Sequence, residues 1–133
     1  MSDVVIDTNI VIWYFSTPVM PTQPAQTAIL DAALNGTIFI PSIAIVELIY
    51  LTEKNRIPVD VLKDLSDAVD DQATAFQFAD LSREIADQCK NIPRTIVPDM
   101  PDRIVAATAL HLELPLITSD TGIHKLTNIQ TIW

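Results

Sequence analysis

The sequence predicts an α/β layered fold built on a mostly parallel central sheet of four or five strands. Short β-branched or aromatic runs alternate with longer segments of helical periodicity, the pattern of strands joined by helical crossovers. The length, 133 residues, suits a single domain spanning the whole chain with one compact core. The composition, 49% apolar and 19% charged, is that of a packed chain rather than a disordered one.

Val4-Val5-Ile6 reads as a buried strand, and Asp7-Thr8-Asn9 breaks it with residues that favour turns and helix starts. Ile10 to Phe15 follows as a short helix, closed by a stretch carrying Pro18, Pro21 and Pro24. Ala25 to Asn35 repeats apolar residues at helical spacing, and Asn35-Gly36 ends it because both residues tolerate left-handed dihedrals. Thr37 to Ile40 is the second strand. The helix after it, Ile43 to Lys54, is apolar on nearly every side and is expected to be largely buried. Val59 to Asp71 is amphipathic, Thr74 to Phe78 a weaker strand suited to an edge, and Asp80 to Lys90 a helix. Asn91 to Pro98 is a loop, Met100 to Leu112 a helix, and Leu116 to Thr118 a strand. A short helix at Thr121–Leu126 and a last strand at Gln130–Trp133 complete the chain.

Lys and Arg total 8 against 17 acidic residues, a net charge of −9. That balance argues against unspecific wrapping of nucleic acid or docking on anionic membranes, which need a basic surface. It leaves open a nucleic acid held through metal ions. The single cysteine, Cys89, forms no internal disulfide, and no Cys/His spacing suggests zinc. Met1 to Val5 lacks the basic start of a secretory signal, and the most apolar stretch, Ile38 to Leu51, falls short of the ~20 residues of a membrane helix. A cytoplasmic protein with no membrane association is the expectation.

In parallel sheets chemistry gathers outside the carboxyl ends of the strands. Asp7 directly follows the first strand, and Asp120 follows the Leu116–Thr118 strand. Glu47 lies in the helix after the second strand and Asp102 begins the helix before the fourth, so both can converge on the same edge. Capping accounts equally well for Asp7, Asp120 and the Asp99-Met100-Pro101-Asp102 segment. It does not account for Glu47, flanked by Ile45-Val46 and Leu48-Ile49, because an unpaired buried carboxylate costs several kcal/mol. A cluster of such acids repels itself unless a cation balances it, and oxygen ligands suit Mg²⁺ or Mn²⁺. Such an ion assists phosphodiester hydrolysis. The competing reading is a non-catalytic α/β protein-interaction module whose acids are helix caps. His111, His124 and Cys89 are expected to be structural.

Four ordered blocks carry a resemblance across essentially the whole chain. Val5-Ile6-Asp7-Thr8-Asn9, Ser42-Ile43-Ala44-Ile45-Val46-Glu47, Pro98-Asp99-Met100-Pro101-Asp102 with Arg103 to Ala109, and Leu116-Ile117-Thr118-Ser119-Asp120 are similar to the PIN-domain ribonucleases, in particular the VapC-type toxins of toxin–antitoxin pairs. The resemblance implies a three-layer α/β/α sandwich and an acidic pocket for Mg²⁺ or Mn²⁺. It places the metal-site and catalytic acids at Asp7, Glu47, Asp102 and Asp120. Asn9 falls where a polar residue supports the first acid by hydrogen bonding. Thr118 or Ser119 supplies the hydroxyl beside the last acid, and Asp99 a supporting carboxylate. It further implies cleavage of single-stranded or loop RNA, a homodimer, and a small cognate antitoxin that holds the enzyme inactive. The chain is markedly acidic for an RNA enzyme, so Arg103, Lys54 and Arg56 become the candidate phosphate contacts. Trp13, Tyr14, Phe15, Val19 and Met20 form an apolar cluster suited to an antitoxin or dimer contact.

Overall fold

The computed structural model describes residues 2–16 and 21–133. Pro18, Val19 and Met20 therefore lie outside the described residues. Strands β1 (Val4–Ile6), β2 (Ile38–Pro41), β3 (Phe76–Ala79), β4 (Leu116–Ile117) and β5 (Thr131–Ile132) form one sheet in the order β3-β2-β1-β4-β5. Every pairing is parallel. Helices α1 (Thr8–Ser16), α2 (Gln23–Asn35), α3 (Ile43–Glu53), α4 (Asp60–Asp70), α5 (Arg83–Gln88) and α6 (Met100–Leu112) flank it, with 3₁₀ turns at Cys89–Asn91 and Ile123–Lys125. The α/β/α sandwich expected from the sequence is the fold observed, with five strands among the described residues, all paired in parallel.

The period-2 alternation of strand side chains builds the layers. Val4 and Ile6 of β1 join Ile38 and Ile40 of β2 in a core closed by Ile10, Val11, Ile29, Leu48 and Leu65 of α1 to α4. Val5, with Leu116 beside it in register, faces the other way into a second core with Ile85, Val105 and Ile123. The chain runs outward from β1 to β2 and β3, then returns to β4 on the far side of β1. The β1–β4 boundary is therefore the point where the winding reverses, the place where open parallel sheets leave a crevice.

Local expectations needed three corrections. Helix α3 is not buried on all sides: Ala44 and Leu48 are buried, whereas Val46 is 47% and Tyr50 60% exposed, with Ile49 also exposed. It lies in an outer layer, so only one stripe meets the core. Gly36 ends α2 at φ −150°, extended rather than left-handed. It is needed for space, since a Cβ there would stand 2.7 Å from Asp3 Oδ1 and 2.9 Å from the Ser2 carbonyl carbon. Helix α1 starts at Thr8 rather than Ile10, because the Asp7 carbonyl accepts the Ile10 and Val11 amides at 3.0 and 3.2 Å.

Arg103 also departs from expectation. Its Nε donates to the Ile92 carbonyl at 3.0 Å and an Nη to the Cys89 carbonyl at 2.7 Å, pinning the loop after α5 onto α6. The guanidinium is committed to the backbone rather than poised for phosphate. Arg103→Met should thus lower stability by about 2 kcal/mol, since charged hydrogen bonds contribute ~1.5–3 kcal/mol each and are not additive. Urea denaturation measures this; a midpoint equal to that of the parent chain would show the two bonds to be dispensable.

Candidate functional site

Where β1 leaves the sheet, Asp7 turns the chain into α1. Its Oδ1 accepts the Thr8 amide at 2.6 Å and its Oδ2 the Thr118 hydroxyl at 2.7 Å. The residue is 6% exposed. Burial pushes its carboxyl above the usual range; the Thr118 and Thr8 hydrogen bonds oppose that shift, and the charges of Asp120 and Asp99 add to it.

Thr8 begins α1 and is itself buried, with its hydroxyl donating to Glu47 Oε1 at 2.6 Å. Glu47 is half-buried, and its pKa is raised mainly by burial, lowered in part by the Thr8 bond, then raised by Asp7 and Asp99. One threonine thus joins the acid of α3 to the segment that carries Asp7. Thr8 escaped the sequence reading, although it stands in the Asp-Thr-Asn block. Asn9, one residue further around the helix, is exposed and makes none of the hydrogen bonds to Asp7.

Asp99 is the N-cap of α6, and its Oδ1 accepts the Asp102 amide at 3.0 Å, with Pro101 in the first turn. Asp102 is half-buried, and its carboxyl is pushed from its ordinary value near 3.8 up to about 7. Burial is the largest cause, followed by the charges of Asp99, Asp7, Asp120 and Glu47. Acids from four separate segments therefore feel one another at the carboxyl edge of the sheet.

Asp120 closes the group. Its amide donates to Thr118 Oγ1 at 3.1 Å, and its Oδ1 accepts the Ile123 amide at 2.9 Å. It thus caps the 3₁₀ turn while one oxygen stays available. Thr118, rather than Ser119, is the hydroxyl that reaches Asp7. Lys54 and Arg56 are exposed beyond the end of α3, about 10 Å along the helix axis from Glu47. His124 is held through both ring nitrogens, to Thr131 Oγ1 and the Thr118 carbonyl.

Among the described residues no three acidic, histidine or cysteine side chains lie close enough to grip one ion directly. The acids that gather at this edge offer oxygen donors only. That pattern fits Mg²⁺, which keeps several waters and takes one or two carboxylates, better than it fits zinc. A cavity of ≈ 270 Å³ lined by Ala109, Leu110, Glu113, Pro115 and Gln130 lies at the opposite end of β4 and contains none of these acids.

A family profile described as "PIN domain" matches residues 4–129. No curated protein matches the chain at a significant level. Among solved structures, the chain is similar to DNA-bound VapBC from Salmonella typhimurium, with a TM-score of 0.70 at 18% identity over 98% of this chain and 97% of that one. VapBC2 from Rickettsia felis, bound to a DNA fragment from its promoter, gives a TM-score of 0.69 at 18% identity, covering 97% and 96%. A toxin–antitoxin complex from Klebsiella pneumoniae gives 0.64 at 21% identity, covering 95% and 94%. At these identities the structural likeness speaks to fold alone.

Proposed function

The chain belongs to the PIN-domain family, and from that premise we propose that it is a divalent-metal-dependent endoribonuclease toxin of the VapC type, cleaving single-stranded or loop RNA. One observation carries the reading. The bonds from Thr118 to Asp7, from Thr8 to Glu47 and from the Asp120 amide to Thr118 gather acids of separate segments at one sheet edge. Beside them Asp102 is pushed up to about 7 by burial and by Asp99, Asp7, Asp120 and Glu47, so negative charge is concentrated where a cation would relieve it. Asp7, Glu47, Asp102 and Asp120 would supply the carboxylates for Mg²⁺ or Mn²⁺, in part through the ion's waters because no three of them lie close enough to grip it directly, with Asp99 shaping the field beside them. Such an ion, when bound, would supply activation of a water and charge stabilisation at phosphate. The chain's own contribution is orientation: Thr118 and the Thr8 amide hold Asp7, the Thr8 hydroxyl holds Glu47, and Asp99 sets the start of the helix that carries Asp102.

The partners follow from the same reading. RNA would meet an acidic surface, with Lys54 and Arg56 as the nearby cations, so binding is expected to be weak and salt-sensitive. A small antitoxin is proposed as the inhibitor, and Val46, Ile49 and Tyr50 on the outer side of α3 are the apolar surface that supports such a partner. Assembly as a homodimer and a cytoplasmic location belong to the same proposal. No helix among the described residues is long and apolar enough to cross a membrane.

The purified chain, incubated with end-labelled single-stranded RNA, should cut it with Mn²⁺ or Mg²⁺ and not with EDTA. Intact RNA at every ion concentration would reject the assignment. The second reading, an interaction module, is favoured by the capping bonds that Asp99 and Asp120 make. It expects no effect of Mn²⁺ on melting.

A further inference from the structure

We infer that His124 is a positioning residue for the acidic site, acting through Thr118 and resting on the reading of that site as a metal-dependent nuclease centre. Thr118 directly follows β4, and it is 0% exposed. Its amide donates to the Ile132 carbonyl at 3.2 Å, as a strand residue should. Its carbonyl has no strand partner, because the chain turns away toward Asp120. His124 Nε2 stands 2.6 Å from that oxygen. A carbonyl only accepts, so Nε2 carries the proton; in the neutral ring Nδ1 then accepts from the Thr131 hydroxyl at 2.7 Å. The His124 amide also donates to the Asp120 carbonyl at 3.1 Å. One residue thereby ties the end of β4, strand β5 and the backbone of Asp120 into a single turn.

What the clamp holds in place is chemical rather than merely architectural. The Thr118 hydroxyl donates to Asp7 Oδ2 and accepts the Asp120 amide, so the two acids on either side of the β1–β4 boundary share one oxygen as their reference point. Freeing the Thr118 carbonyl lets the Thr118–Ser119 peptide rotate, which displaces the Asp120 amide and, through it, loosens the hydroxyl that Asp7 and Asp120 share. Outer hydrogen bonds of this kind orient ligands, and their loss weakens metal affinity by ~10–100-fold.

His124→Phe removes both ring hydrogen bonds, and His124→Gln restores a donor at a similar reach. In the metal-free protein, NMR exchange of the Thr118 hydroxyl proton should be at least ~10-fold faster in the Phe variant, and close to that of the parent chain in the Gln variant. Mn²⁺ affinity, from the ion dependence of cleavage or from direct titration, should fall ~10–100-fold in the Phe variant and be largely rescued by Gln, with KM for RNA unchanged. If the Phe variant does not fold, Thr131→Val, which releases Nδ1 alone, should move both readouts in the same direction by ~3-fold. A lower melting temperature accompanied by unchanged hydroxyl exchange and unchanged Mn²⁺ affinity overturns the inference. If the parent chain shows neither Mn²⁺ binding nor cleavage, yet hydroxyl exchange responds to His124→Phe, the positioning role stands and the nuclease reading falls.

Discussion

Replacing Asp7 with Asn is expected to reduce metal-dependent RNA cleavage by at least ~10³-fold while leaving the fold as stable as before, or more so. On the proposed nuclease reading the loss follows from removing one anionic ligand from a site whose ion would contribute several kcal/mol of charge stabilisation, at ~1.4 kcal/mol per decade of rate. The stability follows from burial. Asp7 is 6% exposed, and its carboxyl is held above the ordinary range, so its ionised form is disfavoured in the folded chain. A neutral amide of the same shape removes that penalty. It still accepts the Thr8 amide, and its own NH₂ can meet Thr118 Oγ1, which has a spare lone pair. Cleavage assays and thermal melts of the two proteins decide it. Activity equal to the parent chain would exclude Asp7 from the chemistry, and a melt lowered by many degrees would make its carboxylate structural.

The second large effect is a pH dependence that a divalent ion reverses. Asp102 titrates near 7 in the folded chain and near 3.8 otherwise, and Asp7 and Glu47 shift in the same direction. Between those values the folded state keeps a proton that the unfolded chain has lost, so stability falls as pH rises through the window. Asp102 is half-exposed, and allowance for solvent screening leaves about 1–2 kcal/mol from it, or roughly 5 °C in Tm between pH 5 and pH 8. Ligand carboxylates must be ionised to bind metal, so Mn²⁺ should stabilise strongly at pH 8 and little at pH 5. At one hundred times its Kd the expected gain is ~2.7 kcal/mol. Differential scanning calorimetry at both pH values, with Mn²⁺ and with EDTA, tests the pair of effects. Superimposed traces would favour the capping-only module.

Strand and helix order was legible because each run of β-branched residues lies between turn-forming ones, and α6 lies at Met100–Leu112 as its Asp99 cap and Pro101 announce. The burial of α3 was not legible. Ile45, Val46, Ile49 and Tyr50 read as core residues in sequence, but whether an apolar helix face is covered depends on which layer it joins. The premise that isolated Glu47 in a largely buried helix was therefore too strong, although its hydrogen bond to Thr8 still sets it apart from a surface carboxylate. Asn9 and Thr8 exchanged roles for a related reason. Once α1 starts directly after Asp7, the first residue turns inward to Glu47 and the second faces solvent. Arg103 read as a free cation because its partners are backbone carbonyls, which leave no trace in side-chain pattern.

Strand β4 is inserted between β1 and β5 and brings Thr118 and Asp120 to a boundary whose other half, β1 and Asp7, lies near the opposite end of the chain. During synthesis the ribosome releases Asp7 and Glu47 well before the segment that completes their surroundings. A nascent or truncated chain stopping before Leu116 has no oxygen to hold Asp7 Oδ2 and no Asp120, so it cannot assemble the edge whatever helices it has already formed. The acidic edge is thus a late feature of folding, absent from any fragment that lacks β4 however much helix that fragment retains.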